Sequence, residues 1–112
     1  MITVHLTAAV ICFATSCHPA IVGRTTEPGR YAIDQKIALD PRYGGLVLEF
    51  DHDGYSWTGI HRTWPGREHL YAKPPQYRRT ITDGCVNVQP EVFDQLVTHV
   101  RTARDYTLEI HP

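Results

Sequence analysis

The apolar residues of this chain fall in short runs that turn-forming residues interrupt, and this spacing leaves little room for helices. Ile2–Leu6 and Tyr106–Ile110 alternate apolar and polar side chains, and Val10–Ala14 is a short apolar run. A period of two places successive side chains on opposite faces of a strand. The chain is therefore predicted to be a mainly β protein.

A further strand is predicted over Cys17–Val22. Pro19 lies inside this run, and because proline donates no backbone hydrogen bond, it favours an edge strand or the beginning of a strand. Residues 23–29 are rich in Gly, Thr and Pro and are predicted to form a loop. Arg30–Ile33 is predicted to be the next strand.

A β-hairpin is predicted in the middle of the chain, where Leu46–Phe50 and Tyr55–His61 flank an Asp-Gly pair. This hairpin places His61 at the end of a strand, and Trp57 is predicted to pack in the core. Residues 62–80 are polar and contain three prolines. A long loop of this kind within a compact domain is usually either functional or disordered.

Only one helix is predicted. Pro90 suits the first position of a helix, and Glu91 suits its electropositive N-terminal end. The apolar residues that follow recur at spacings of three and four and form one stripe: Val92, Phe93, Leu96, Val97 and Val100.

Length and charge narrow the class of protein. The 112 residues suit a single domain, 1–112, and the net charge is −1 with histidine neutral. A nucleic-acid partner is not expected, because a duplex binder usually carries a basic excess.

The longest apolar stretch, Ala8–Ala14, is too short to span a bilayer, and it is not preceded by the basic residue that is typical of a secretion signal. A monomer is expected.

Three cysteines leave at least one thiol unpaired. Cys12 and Cys17 are close enough in sequence to form a disulfide across a hairpin, or they are two small buried apolar residues. A zinc site built from them and two histidines is a weaker alternative, because their spacing is not typical of zinc ligands.

Cys85 is the candidate for chemistry. It follows Gly84 in a strand-like segment just before the predicted helix. Glycine allows close approach of the backbone to a substrate, and the N–H groups of Gly84 and Cys85 could converge on an oxyanion. The thiolate is the reactive form of cysteine, so a nucleophilic Cys85 needs a nearby base, for which seven histidines are available. The alternative is a buried structural thiol.

Residues Thr82–Asn87 resemble the signature of the L,D-transpeptidase (YkuD-like) catalytic domain, which is Ser or Thr, His, Gly, Cys, an apolar residue, then Asn or Arg. Gly59–His61 is similar to the family's apolar-Ile-His segment at a strand end. Gly23–Ile33 is similar to its Gly-x-Thr-Pro-x-Gly turn, with one extra residue. The three segments occur in the family's order. The resemblance implies a β-sandwich with a mixed sheet and one main helix.

The resemblance also implies a reaction. Cys85 would attack the carbonyl after the L-centre of a peptidoglycan stem tetrapeptide and release the terminal D-alanine. His61 would take the thiol proton and return it to the leaving amine. The backbone carbonyl of Arg62 would orient the imidazole, leaving the Arg62 side chain free to face substrate. Water or an amine would resolve the thioester, which gives L,D-carboxypeptidation or L,D-transpeptidation. No metal or organic cofactor is implied.

Two departures from the family pattern affect the site. Asp83 stands where the family has His, and a carboxylate beside Cys85 would raise the pKa of the thiol. His61 is farther from Cys85 in sequence than is usual, which an insertion within residues 62–80 would explain. His69 lies closer in sequence and is the alternative base, although it lacks the strand-end context.

Substrate contacts are predicted for Thr82 and Asn87, which belong to the motif. Arg79 and its neighbour Arg78 are candidates to bind a carboxylate of the stem peptide, because arginine suits bidentate recognition of such groups; solvated loop charges are the alternative. Trp64, in the long loop, is the predicted aromatic contact.

Two other functions stay open. One is an inactive relative that binds wall peptides, in which Asp83 and the long loop have disabled catalysis. The other is an unrelated thiol hydrolase built on parallel strands crossed by helices. The predicted substrate lies in the cell envelope or periplasm, so a chain without a secretion signal is expected to reach it by dedicated export.

Overall fold

The computed structural model describes all residues, 1–112, and contains nine strands and one α-helix. The strands are β1 (Ile2–His5), β2 (Val10–Phe13), β3 (Ser16–Ile21), β4 (Gly29–Ala32), β5 (Asp34–Ile37), β6 (Leu46–His52), β7 (Trp57–Arg62), β8 (Val86–Val88) and β9 (Thr107–His111). They form one mixed sheet in the spatial order β4-β9-β1-β2-β3-β8-β7-β6-β5. With the helix α1 (Pro90–Ala103), this confirms the predicted mainly β fold with a mixed sheet and one main helix.

The sheet curls so that its two halves face each other like the layers of a sandwich. β4 is at one end of the strand order, yet it lies against β6, where the ring centroids of Tyr31 and Phe50 are 5.1 Å apart. Twisted sheets of this size curl rather than stay open. The enclosed space is filled by one cluster of 20 buried apolar residues from both halves and the helix.

Strand β3 forms the corner between the halves because it changes partner along its length. Its first part pairs with β2 as far as Pro19, and its last residues, Ala20 and Ile21, pair with β8. The expectation that Pro19 marks an edge strand is wrong, since β3 lies between two neighbours. The N–H that proline lacks falls where pairing passes from one neighbour to the other.

Helix α1 packs its apolar stripe against the inside of the curled sheet. All five residues of the predicted stripe are buried: Val92, Phe93, Leu96, Val97 and Val100. The guanidinium of Arg62 lies 4.4 Å from the centre of the Phe93 ring. Pro90 begins the helix, and Arg104, with a left-handed φ of 50°, ends it. With 14 residues, this helix is not of the length and apolarity that crossing a bilayer demands.

The predicted hairpin is present between β6 and β7, which pair antiparallel. The carboxylate of Asp53 closes its turn by accepting from the N–H groups of Tyr55 and Ser56, at 2.9 and 2.8 Å. The sequence does not predict β5, because Asp34–Ile37 has no buried face and borders solvent.

β7 and β8 are parallel, so a long crossover joins them instead of a tight turn. Within the predicted irregular segment, 62–80, the crossover contains two short 3-10 helices, Glu68–Ala72 and Pro75–Arg78. Arg78 anchors it: the guanidinium is buried and donates to the carbonyls of Ala20 and Ala9, each at 3.2 Å. The candidate role of Arg78 in binding a substrate carboxylate is therefore corrected.

Cys12 and Cys17 lie opposite each other on β2 and β3 and are joined by a disulfide. This pairing resolves the choice that the sequence leaves open for these two residues. Cys85 is the remaining thiol, and it is free.

Truncation of Phe93 tests whether α1 fills the sandwich. Because Phe93 is fully buried, Phe93→Ala is expected to lower the free energy of unfolding by about 3–5 kcal/mol, measured by urea denaturation followed by circular dichroism. Thr102→Ala, on the exposed side of the same helix, is the control and should change it by less than about 0.5 kcal/mol. Equal effects of the two variants would contradict the packing described.

Candidate active site

The parallel pairing of β7 and β8 brings Cys85 and His61 together. In this ladder His61 lies opposite Asn87, and Ile60 lies opposite Val86. Paired residues face the same side of a sheet and side chains alternate along a strand, so Cys85, two residues before Asn87, faces the side of His61. The alternate pair, Ile60 and Val86, is fully buried in the core.

Hydrogen bonds fix the tautomer of the His61 imidazole. Nδ1 lies 2.6 Å from the carbonyl oxygen of Arg62, which can only accept, so Nδ1 carries the proton. Nε2 is then unprotonated and accepts from the Nδ2 amide of Asn87 at 3.2 Å. His61 therefore presents a lone pair at Nε2, which is what a general base requires.

Aromatic rings surround His61. Tyr43 meets it edge to face with centroids 4.7 Å apart, and the rings of Trp57 and Trp64 lie at 6.3 and 6.5 Å. Burial, the largest cause, and the positive charge of Arg67 together lower the pKa of His61 from 6.5 to about 4, against the opposing effect of the hydrogen bond to Arg62. The imidazole is thus neutral at neutral pH.

The turn that presents Cys85 is held from two sides. The hydroxyl of Thr82 donates to the carbonyl of Cys85 at 2.6 Å, and that of Thr26 donates to the carbonyl of Gly84 at 3.0 Å. Gly23 packs so closely against the turn that a Cβ there would lie 2.7 Å from the Gly84 nitrogen. The Thr82 hydroxyl thus braces the turn of Cys85. Thr82 also lines the cavity into which Cys85 opens, so its predicted contact with substrate stays a prediction.

The thiol of Cys85 is half-buried, and its surroundings favour the protonated form. Burial raises the pKa of Cys85, and the carboxylate of Asp83 raises it further. A hydrogen bond from the backbone of Gly59 and the charge of Arg67 act in the opposite direction. The thiol is therefore the resting form at neutral pH.

Cys85 and His61 open into one cavity of about 600 Å³, within the size range of pockets that hold small organic ligands. Three aromatic and three charged side chains form much of the rest of its wall: Tyr43, Trp57, Trp64, Asp53, Arg67 and Asp83. The prediction that Trp57 packs in the core is wrong, because its half-buried ring belongs to this wall. No group of three or more His, Cys, Asp or Glu side chains is arranged to hold a metal ion.

The other predicted site residues are divided between this cavity and its surroundings. Asp83, Gly84 and Trp64 line the cavity. The Arg62 guanidinium instead pairs with Asp94 at 3.0 Å, so Arg62 acts at the site through its backbone carbonyl and its side chain does not face the cavity. Arg79 is not among the lining residues, and its binding of a carboxylate stays a prediction.

The alternative base His69 is exposed on the 3-10 helix Glu68–Ala72 and does not line the cavity. His61 does line it and has the strand-end position that the sequence indicates. The geometry therefore favours His61 over His69 as the base.

Asn87 is fully buried between His61 and Arg67. Its Oδ1 accepts from Nη1 of Arg67 at 3.0 Å, while its Nδ2 donates to His61. Because a guanidinium can only donate, this contact sets which end of the amide faces His61. A buried amide does not reach substrate, so the predicted substrate contact of Asn87 is corrected to a positioning contact on His61.

Arg67 is the residue that the sequence does not predict for the site. It lies in no motif, and only its place in the long loop, close to Trp64 and Pro65, indicates a functional position. Its guanidinium carbon lies 4.9 Å from the centre of the Trp64 ring. The buried Nε1 of Trp64 has no hydrogen-bond partner.

Replacement of His61 tests its burial as a neutral ring. The unfolded chain binds a proton near pH 6.5, whereas the folded chain does so only near the pKa of about 4. The contribution of His61 to stability is complete above pH 6.5 and is lost as pH falls through that interval, by about 3 kcal/mol in all. Urea denaturation of His61→Gln should show a pH dependence between 7 and 4 that is shallower by this amount. Parallel curves for the two proteins would contradict the neutral buried ring.

Comparisons with known proteins establish the fold. No family model and no curated protein matches the sequence. Among solved structures, Bd1075 of Bdellovibrio bacteriovorus is similar with a TM-score of 0.63 and 16% identity, over 98% of this chain and 46% of that one. The L,D-transpeptidase (residues 123–326) of Xylanimonas cellulosilytica is similar with a TM-score of 0.56 and 11% identity, over 98% of this chain and 59% of that one.

The chain thus spans about half the length of the structures it matches. At such identities the likeness concerns the fold alone, and it covers nearly the whole of this chain. The chain has the fold of an L,D-transpeptidase domain.

Proposed function

We propose that this chain is a cysteine-dependent acyltransferase that acts on peptidoglycan stem tetrapeptides through a Cys85 thioester. The observation that carries the proposal is the His61 imidazole, held with its proton on Nδ1 and its lone pair on Nε2, on the same face of adjacent parallel strands as Cys85. Both residues open into one cavity. The likeness in fold to an L,D-transpeptidase domain supports this class of reaction.

The reaction begins with proton transfer. The Cys85 thiol gives its proton to Nε2 of His61, replacing the Asn87 amide there, and the sulfur attacks the carbonyl after the L-centre of the stem peptide. The resulting imidazolium can no longer accept the hydrogen bond that Asn87 donates at rest, and burial disfavours its charge. His61 therefore readily returns the proton to the leaving amine of the terminal D-residue.

The oxyanion of the tetrahedral intermediate would be stabilised by the backbone N–H groups of Gly84 and Cys85. The hydrogen bonds from Thr82 and Thr26 fix the carbonyls of this turn. Such bracing holds the neighbouring N–H groups in place before the substrate arrives, which is the condition for electrostatic stabilisation to be effective.

The thioester is then resolved by water or by an amine, which gives L,D-carboxypeptidation or L,D-transpeptidation. His61 is the base for either acceptor, because microscopic reversibility returns the proton by the same path.

A catalytically inactive module that binds wall peptides is the second candidate, and one observation favours it. Both burial and the carboxylate of Asp83 raise the pKa of Cys85, which opposes formation of the thiolate. In this function the cavity would bind the stem peptide without forming a thioester.

Mass spectrometry of disaccharide-tetrapeptide incubated with the protein tests the first candidate. Loss of the terminal D-alanine, or a cross-linked dimer, is expected with the wild type and should be absent with Cys85→Ala. His61→Gln should lower the rate by about 10²–10⁴-fold, the usual contribution of a general base.

His69→Gln is the matched control and should retain the wild-type rate, because His69 does not line the cavity. The absence of any product with correctly folded wild type would contradict the proposed enzyme activity and favour the peptide-binding module. Loss of the activity on His69→Gln, with retention on His61→Gln, would reverse the assignment of the base.

Replacement of Asp83 tests the electrostatics of the nucleophile. Asp83→Asn removes a charge that raises the pKa of Cys85, so the thiolate fraction at pH 7.5 should rise. Alkylation of Cys85 by iodoacetamide, followed by mass spectrometry, should become a few times faster. Asp51→Asn, in the exposed end of β6, is the control for a change in net charge. An unchanged rate in Asp83→Asn would show that its carboxylate does not act on the thiol.

A further inference from the structure

Arg67 is a cation in the cavity wall with no carboxylate partner. It lines the cavity together with Cys85 and His61, and none of the ion pairs in the structure includes it. By contrast, Arg62 forms an ion pair with Asp94, and the guanidinium of Arg78 donates hydrogen bonds to backbone carbonyls. A half-buried guanidinium without an anion is an unsatisfied group that a ligand carboxylate would complete.

The Arg67 guanidinium is held in a fixed orientation. Nη1 donates to Oδ1 of Asn87 at 3.0 Å, and the group stacks on Trp64 with 4.9 Å between its carbon and the ring centre. The same ring carries Arg42 at 4.1 Å, so Trp64 cannot turn freely. The remaining N–H groups of the guanidinium have no side-chain or backbone acceptor, and a planar donor set held in this way suits bidentate binding of a carboxylate.

Arg67 also lies close to the reacting groups. It is separated from the base by the Asn87 side chain alone, since Asn87 contacts both Arg67 and Nε2 of His61. In a stem tetrapeptide the terminal carboxylate is one residue beyond the scissile carbonyl. A carboxylate-binding group for this substrate must therefore stand beside the nucleophile and the base.

We propose that Arg67 is the residue that binds the free C-terminal carboxylate of the residue that leaves, and that it sets the preference of the site for a peptide acid over the corresponding amide. This inference rests on the proposed function and names a specificity-determining residue for it. A longer stem peptide, in which another residue follows the D-alanine, would place its carboxylate beyond Arg67. An amidated terminus would place the NH2 donor of the carboxamide against the N–H donors of the Arg67 guanidinium.

Calorimetric binding of two ligands to Cys85→Ala tests the inference without requiring turnover. The ligands are disaccharide-tetrapeptide and the same molecule with its terminal carboxylate converted to a carboxamide. The free acid should bind at least about tenfold more tightly, as expected for a charge-assisted hydrogen bond. In Cys85→Ala/Arg67→Gln this ratio should fall to about one.

Glutamine at position 67 retains an N–H donor for Asn87 but lacks the positive charge and the planar guanidinium donors. If Arg67 had a purely structural role, its replacement would change the affinities for the acid and the amide together and leave their ratio intact. Arg67→Lys should retain part of the preference. Arg30→Gln, on the edge strand β4, is the remote control, and Arg79→Gln tests the other candidate cation.

A ratio near one in Cys85→Ala itself, or a preference that survives Arg67→Gln, would overturn the inference, as would loss of the preference in Arg79→Gln alone. Binding of neither ligand would overturn it together with the substrate class. The experiments distinguish failure of this inference from failure of the proposed reaction. If the protein binds the acid selectively but the wild type releases no D-alanine, the role of Arg67 is supported and the proposed enzyme activity is contradicted. If the wild type turns over the acid and the amide equally well, the enzyme activity is supported and the role of Arg67 is contradicted.

Discussion

The parallel pairing of β7 with β8 is the interaction on which the candidate site depends. It sets His61 beside Asn87 and, two residues earlier on β7, the backbone of Gly59 within hydrogen-bonding reach of Cys85. The pair is held on one flank by β6 and on the other by the corner strand β3. Beneath it, Ile60 and Val86 join the core filled by α1. A shift of one residue in this ladder would leave His61 and Cys85 on opposite faces of the sheet.

The pair of reactive residues is uncharged at rest. The pKa of His61 is lowered and that of Cys85 is raised, so a neutral thiol faces a neutral imidazole. Sites that keep a thiolate-imidazolium pair stabilise charge before the substrate binds. Here the charge would develop only during attack, in a wall where Arg67 is the nearby cation. A substrate that brings its own carboxylate to Arg67 would offset this positive charge, remove one of the causes that lower the pKa of His61, and so make His61 a stronger base during the attack.

Local signals were sufficient for most elements of the fold. Alternation predicts β1 and β9, the Asp-Gly pair predicts the β6–β7 hairpin, and the stripe after Pro90 predicts α1. The change of partner at Pro19 and the polar edge strand β5 depend on neighbours distant in sequence, so no local pattern reveals them.

The residues of the candidate site likewise fall into those that a local sequence pattern predicts and those that only the folded structure reveals. The segment around Cys85 and the strand end at His61 carry recognisable patterns, and the structure brings both to one cavity. Burial of Arg78 and Asn87, and the wall position of Trp57, follow from how the long crossover folds back on the sheet. Arg67 belongs to that crossover, where residue identity is set by contacts with Trp64 and Asn87 rather than by periodicity. Both of the chain's tryptophans, Trp57 and Trp64, lie in the cavity wall, and consequently the tryptophan fluorescence of the protein is expected to respond to whatever enters this cavity.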